Sequence, residues 1–251
     1  MLQTANGKSR ALLIQIKKIY DISDDTKLLS KILEIHLYPK FLEFADKNNY
    51  NIVLPDKQNY YPDLSFVDKN DENNKFALDL KTTYRLEKKP DFIRGFTLGS
   101  HGEYFINRNS DKNIQFPYNK YKGHFCLGII YTRLNKKKFP EIYRIKDLKR
   151  IISAIGEFQF FACDKWAIAS DKGGSGNTAN IGSIKYIPDI IEGNGLFKNL
   201  GEECFDDYWI NYGKIIDIQT NKPITSLEKF LAYKGKDVSL INYGTFKKKR
   251  Y

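Results

Sequence analysis

Asp63 follows Pro62, and Asp79, Leu80 and Lys81 come after two apolar stretches separated by a polar run; together these residues carry the chemistry of the chain. Leu64 to Val67 reads as a short strand, Asp68 to Asn74 as a polar loop, and Lys75 to Leu80 as a second alternating strand. Pairing Val67 with Lys75 sets Asp63 opposite Asp79, with Cβ atoms roughly 5 Å apart and both side chains on one face. Lys81, two residues on, shares that face. Two carboxylates held so close repel unless a proton or cation lies between them, and Mg²⁺ is bound through one or two carboxylates together with phosphate oxygens. The pattern points to metal-dependent phosphodiester hydrolysis, with Asp63 and Asp79 holding the ion and Lys81 orienting water and offsetting charge. The competing reading is a solvated strand face on which Lys81 pairs with one aspartate.

The elements that must position these residues follow from hydrophobic spacing. Leu12, Leu13, Ile16, Ile19 and Tyr20 predict a helix over Lys8 to Tyr20. A second helix, capped from Asp24, Asp25 or Thr26, carries Leu28, Leu29, Ile32, Leu33 and Ile35, and Pro39 is expected to kink it before Phe41 to Ala45. Strands are expected at Asn51 to Leu54 and His124 to Thr132, the latter central and buried. Ile145 to Ile155 reads as helical, and strands around Lys165 to Ala169 and Asn180 to Ile184 flank a glycine-rich loop. Phe205, Tyr208, Trp209 and Tyr212 have helical spacing, and Thr225 with Glu228 predicts a capping box for a last helix that Gly235 ends. The expected class is α/β, a central mixed β-sheet flanked by α-helices.

With 251 residues, the chain is long enough for one domain with a substantial core. Its formal charge of +11 favours a polyanionic partner, because lysine and arginine release counterions condensed on phosphates. No apolar run approaches a membrane span, no signal-peptide pattern opens the chain, and a cytoplasmic protein is expected. The three cysteines, Cys126, Cys163 and Cys204, lack zinc or disulfide spacing, and His36, His101 and His124 lack metal spacing.

Glu34 reads either as an exposed helix-face glutamate or as a further carboxylate beside the hairpin. Gln58 and Asn59 read either as a polar turn or as contacts to base edges. The loop Asp171 to Asn180 lacks the Lys-Ser or Lys-Thr of a phosphate-binding loop. Its glycines would instead let backbone approach a DNA groove, where Asn177 could bond adenine bidentately and Thr178 offers a hydroxyl and a methyl. Lys136 to Lys138 and Lys247 to Arg250 are solvated runs that steer phosphate at most.

Asp25-Thr26-Lys27, Gln58-Asn59 with Tyr61-Pro62-Asp63, Asp79 to Tyr84, Phe96 to Gly99, Tyr131-Thr132-Arg133, and Asp164-Lys165-Trp166 running into Gly174 to Thr178 together resemble the EcoRV family of type II restriction endonucleases. The likeness extends from Asp25 to about Tyr212; Tyr60 and Ala179 stand where the family has a histidine and a threonine. The resemblance implies the PD-(D/E)xK nuclease fold, a homodimer around double-stranded DNA, and Mg²⁺-dependent cleavage of both strands to 5'-phosphate ends. Mn²⁺ is expected to substitute, and Ca²⁺ to support binding without cutting. It further implies Asp63, Asp79, Leu80 and Glu34 around the metal, with Lys81 as catalytic lysine. Gly174, Ser175, Gly176, Asn177, Thr178 and Asn180 correspond to major-groove recognition, and Gln58 and Asn59 to the minor groove. Thr26, Lys27, Thr82, Thr83 and Lys112 are the remaining DNA contacts expected.

The expected organisation is one domain: a dimerisation segment over 1–24, a catalytic and recognition core over 25–212, and a DNA-contact region over 213–251. The resemblance also implies the palindrome GATATC as the target, cut at its centre, and a cognate DNA methyltransferase in the same bacterial cytoplasm that would act on that site without touching the nuclease. A structure-specific repair nuclease would not need the Asn177 loop, and a vestigial DNA-binding module would not keep Asp63, Asp79 and Lys81.

Overall fold

Strict alternation from Lys75 to Leu86 decides the architecture, because it gives one strand two different faces. Leu78 and Leu80 pack toward a long helix, while Ala77, Asp79, Lys81 and Thr83 point the other way. The computed structural model describes residues 2–3, 9–10, 12–15, 18–21, 25–134, 141–174 and 179–245.

The helix is α1 (Thr26–Lys47), followed by strands β1 (Tyr50–Val53), β2 (Leu64–Asp68) and β3 (Lys75–Leu86). Further along the chain come β4 (Gly123–Arg133) and β5 (Ile155–Asp164). Among the described residues the main sheet has eight strands, with β5, β4, β3, β2 and β1 adjacent in that order. Only the β3–β4 pair among these is parallel, so the sheet is mixed. That pair puts Cys126 beside Asp79 and Gly128 beside Lys81.

The N-cap of α1 is Asp25, whose carboxylate accepts from the Lys27 and Leu28 amides at 2.9 and 3.0 Å. The helix buries Leu29 and Leu33 against Ile129 and Tyr131, and Phe41 and Ala45 against Leu64 and Phe66. Each fully buried leucine there contributes about 1.5–3 kcal/mol. On the opposite face lies the larger core, where Phe105, Ile130, Tyr208, Trp209 and Phe230 meet. No helix among the described residues is long and apolar enough to cross a membrane.

The hairpin forms with the expected pairing, Val67 to Lys75 and Leu64 to Leu78. Its first partner, β1, starts one residue earlier than expected, and β4 is central and largely buried as anticipated. The helix expected over Lys8 to Tyr20 is replaced by strands: Leu12–Gln15 and Lys18–Asp21 form a hairpin that Ile142–Arg144 extends. The apolar spacing there suits either period, and pairing with a distant strand decides between them. Ile145 to Ile155 is likewise not one helix. A 3₁₀ turn spans Ile145–Arg150, and Ile155 opens β5, where cross-strand pairing with β4 outweighs the local helical pattern.

Lys165–Ile168 is a 3₁₀ turn, and the strand expected there begins only at Ala169. Helix α1 continues through Pro39 as one element. Helix α2 (Gly201–Asn211) carries Phe205, Tyr208 and Trp209 of the expected aromatic face, and Tyr212 follows as its C-cap. The last helix, α3 (Leu227–Tyr233), departs from the predicted capping box: Ser226 is the N-cap without a side-chain bond, and the Leu227 amide donates to Asp171 instead. Gly235 ends it, with φ +65°.

Candidate active site

The hairpin delivers its two carboxylates to one point. Asp63 lies one residue before the β2 ladder begins, and its Oδ2 accepts from the Leu80 amide at 2.6 Å. It also lies within hydrogen-bonding reach of the Asp79 carboxyl. Asp79 is 5% exposed, and its Oδ2 meets Lys81 Nζ at 2.8 Å. Burial, and then the neighbouring Asp79 charge, raise the Asp63 pKa to about 7 despite the Lys81 ammonium and the Leu80 amide. Burial works against the Lys81 charge, but Asp79 and Asp63 outweigh it and hold the ammonium above its ordinary pKa.

Two carboxylates brought together at one point, both oxygen donors, fit a hard divalent ion such as Mg²⁺. Asp63 and Asp79 are the side chains that would hold it. Among the described residues no group of three or more His, Cys, Asp or Glu side chains gathers in metal-holding geometry. Glu34 stands in the cleft wall with Asp63, and its Oε1 pairs with Lys31 Nζ at 2.7 Å. The structure thus does not draw Glu34 into one cluster with the aspartate pair. The Leu80 main chain meets Asp63 through its amide.

Two adjoining cavities surround the pair. One, of about 540 Å³, joins Asp63, Leu80 and Lys81 to Thr26, Lys27, Glu34, Thr82 and Thr83. The Ser30 and Thr82 hydroxyls hydrogen-bond, tying α1 to β3 beside it. The other, of about 470 Å³, joins Asp63, Asp79 and Lys81 to Gln58, Asn59 and Asn180. Residues that sequence reasoning did not single out also line it, among them Ser100, Glu103, Tyr104 and Asn113. Nothing in their local spacing marks them, because the end of a strand at Ser100, a short helix at Glu103–Ile106 and the loop at Asn113 bring them to a cleft built from residues distant in sequence. Gly99, within the Phe96 to Gly99 block, borders both cavities.

Lys112 is exposed, and its Nζ meets Glu103 at 2.8 Å. Gly174 donates its amide to Asn180 at 2.7 Å, closing the base of the glycine-rich hairpin. Asn180 pairs in turn with Ser100, so the hairpin is mounted on the strand that borders the cleft. Ser175, Gly176, Asn177 and Thr178 lie outside the described residues, as do the runs Lys136 to Lys138 and Lys247 to Arg250.

The raised Asp63 pKa has a thermodynamic consequence. The folded chain binds this proton more tightly than the unfolded chain, where an ordinary aspartate titrates near about 4. The resulting stabilisation is complete below about pH 4 and lost as pH rises through about 7. Melting temperatures in EDTA should therefore carry a downward contribution across that window. Ca²⁺ should raise the melting temperature at pH 8 and have little effect at pH 5, where the proton occupies the pair. Equal Ca²⁺ stabilisation at both pH values would contradict this.

The family described as restriction endonuclease EcoRV matches residues 9–235. The chain is 39% identical over 207 residues to the type II restriction enzyme EcoRV of Escherichia coli, covering 82% of each chain. Similarity of this extent, over the whole of the hairpin and cleft just described, makes the chain a member of the EcoRV restriction endonuclease family.

Proposed function

We propose that this protein is a type II restriction endonuclease that hydrolyses double-stranded DNA in a Mg²⁺-dependent reaction at the palindrome GATATC, cutting centrally to leave blunt ends with 5'-phosphates. The observation that carries the reading is the Asp63–Asp79–Lys81 set at the junction of two cavities. One is bordered by Gln58, Asn59 and the base of the glycine-rich hairpin, the other by the N-terminus of α1. When bound, Mg²⁺ supplies charge stabilisation to phosphoryl oxygens and makes water a better nucleophile near neutral pH. Asp63 and Asp79 hold the ion; Leu80 fixes Asp63 through its amide; Lys81 orients the attacking water and offsets charge developing on the phosphoryl group.

Glu34 serves as an auxiliary carboxylate in the wall of the cleft. Thr26, Lys27, Thr82, Thr83 and Lys112 meet the DNA backbone, Gln58 and Asn59 the minor groove, and Gly174 through Asn180 the major groove. Acting as a homodimer, with the segment before Asp25 contributing to the contact, the enzyme presents one recognition loop to each half-site, so its target is palindromic. The family resemblance supports the outer bases of the site, and asparagine pairing with adenine supports the adenine in each half. The setting is the bacterial cytoplasm, beside a methyltransferase that modifies the same sequence.

Digestion of a mapped plasmid with Mg²⁺, followed by sequencing of the ends, tests the reading. Blunt ends within GATATC are expected, and methylation of the contacted adenine at N6 should block cutting. Asn177→Ala should cost about 1–3 kcal/mol of discrimination for each contacted base. Staggered ends, a non-palindromic site, or full activity on the methylated DNA would refute the proposed specificity.

A further inference from the structure

A buried lysine without a protein acceptor lies beneath the cleft. Lys165 opens the 3₁₀ turn that follows β5 and is 1% exposed. Its Nζ has no hydrogen-bond partner among the described residues. It faces aromatic rings instead: the centroid of Tyr61 at 4.9 Å, and those of Phe105 and Tyr118 at 5.6 Å each. Gly99 forms the roof. A Cβ at that position would come within 3.3 Å of Lys165 Nζ and 3.5 Å of the Tyr104 hydroxyl, and its φ of +95° favours glycine independently. Since Gly99 also borders both cavities, a single thickness of backbone separates the ammonium from the cleft.

Fold stability alone gives no reason for an ammonium here. Removing an unpaired charge from water is costly, and contact with ring faces offsets only part of that cost. A methionine would occupy similar space without the penalty. The ammonium nevertheless interacts with Asp79 of the catalytic pair. Burial lowers its pKa to about 8, with Asp79 opposing that shift and Lys81 reinforcing it. Tyr61, whose ring it faces, stands two residues before Asp63 and stacks on Tyr104 with centroids 5.3 Å apart.

We infer that Lys165 is a positioning residue for DNA cleavage, acting through Asp79 and Tyr61: its ammonium balances the Asp79 carboxylate from below, as Lys81 does from the cleft side, and anchors the ring that leads into Asp63. The inference rests on the metal-dependent nuclease reading above. Lys165 is sealed from DNA by Gly99, so its contribution lies in kcat and not in affinity for the duplex. The fixed charge gains most when negative charge accumulates on the phosphoryl group, because a preorganised cation in a water-poor site needs no rearrangement at that moment.

The test is Lys165→Met, with Lys165→Gln as a second variant, in the full-length protein at pH 7. The methionine variant should melt at a higher temperature than the parent while its kcat in Mg²⁺ falls about tenfold or more. Binding of the duplex in Ca²⁺ should stay within a factor of about two for both variants, and Lys165→Gln should also lose kcat. A structural role predicts the opposite sign for stability. An unchanged kcat, a parallel fall in melting temperature and kcat, or failure of both variants to fold would overturn the inference. Failure of the underlying nuclease reading would look different: Asp79→Ala and the parent would then be alike in Mg²⁺, whereas failure of this inference leaves that contrast intact.

Discussion

Asp79→Ala should abolish Mg²⁺-dependent cleavage while leaving a folded protein. Asp79 is buried, faces Asp63 and pairs with Lys81 at 2.8 Å, so its removal takes away half of the carboxylate pair and the partner that orients the lysine. Lewis-acid stabilisation worth several kcal/mol, at tenfold per about 1.4 kcal/mol, corresponds to a loss of about 10³-fold or more. The fold should persist because the deletion removes a like-charge contact with Asp63 and no apolar core. Single-turnover cleavage of a plasmid, with circular dichroism of the same sample, checks both parts. A folded variant retaining more than about a hundredth of the parental rate would place Asp79 among merely assisting groups.

The second large effect is expected at Lys81. Lys81→Met keeps most of the side-chain volume but removes the only cation that meets Asp79 in an ion pair among the described residues. Cleavage should fall by about 10²–10³-fold, the range for removing one preorganised electrostatic donor. The two aspartates remain, so DNA binding supported by Ca²⁺ at pH 8 should survive. That divides the roles: Asp79→Ala should lose cutting and Ca²⁺-supported selective binding together, and Lys81→Met should lose cutting alone. Gel-shift titrations in Ca²⁺ and in EDTA, run beside the rate measurements, distinguish the two. Loss of Ca²⁺-supported binding in Lys81→Met would mean that the lysine organises the ion site itself.

The site is legible where chemistry and periodicity coincide. Alternation in β2 and β3, with a polar loop between them, fixes the register, and register alone brings Asp63 to Asp79 and Lys81. Asp25 as a cap and the aromatic face of α2 are readable for the same reason, since each depends on neighbours close in sequence. The N-terminal strands are not readable in this way. Leu12, Leu13, Ile16, Ile19 and Tyr20 satisfy a helical spacing, and the pairing of Lys18–Asp21 with Ile142–Arg144 that overrules it spans much of the chain. Glu34 shows a different limit: a helix-face carboxylate can be placed near the cleft, but its pairing with Lys31 is invisible until the side chains are seen. Lys165 shows the same limit more sharply. Its place at the start of an expected strand gives no sign of burial, and only the turn that carries it under Gly99 makes it a buried charge.

The central claim is that Asp63 and Asp79 together take up a divalent ion. Calorimetric titration of Ca²⁺ into the protein with a GATATC duplex at pH 8 tests it most directly. The account predicts saturable uptake in the parent that is lost in both Asp63→Asn and Asp79→Ala. Uptake of the same affinity in either variant would contradict it.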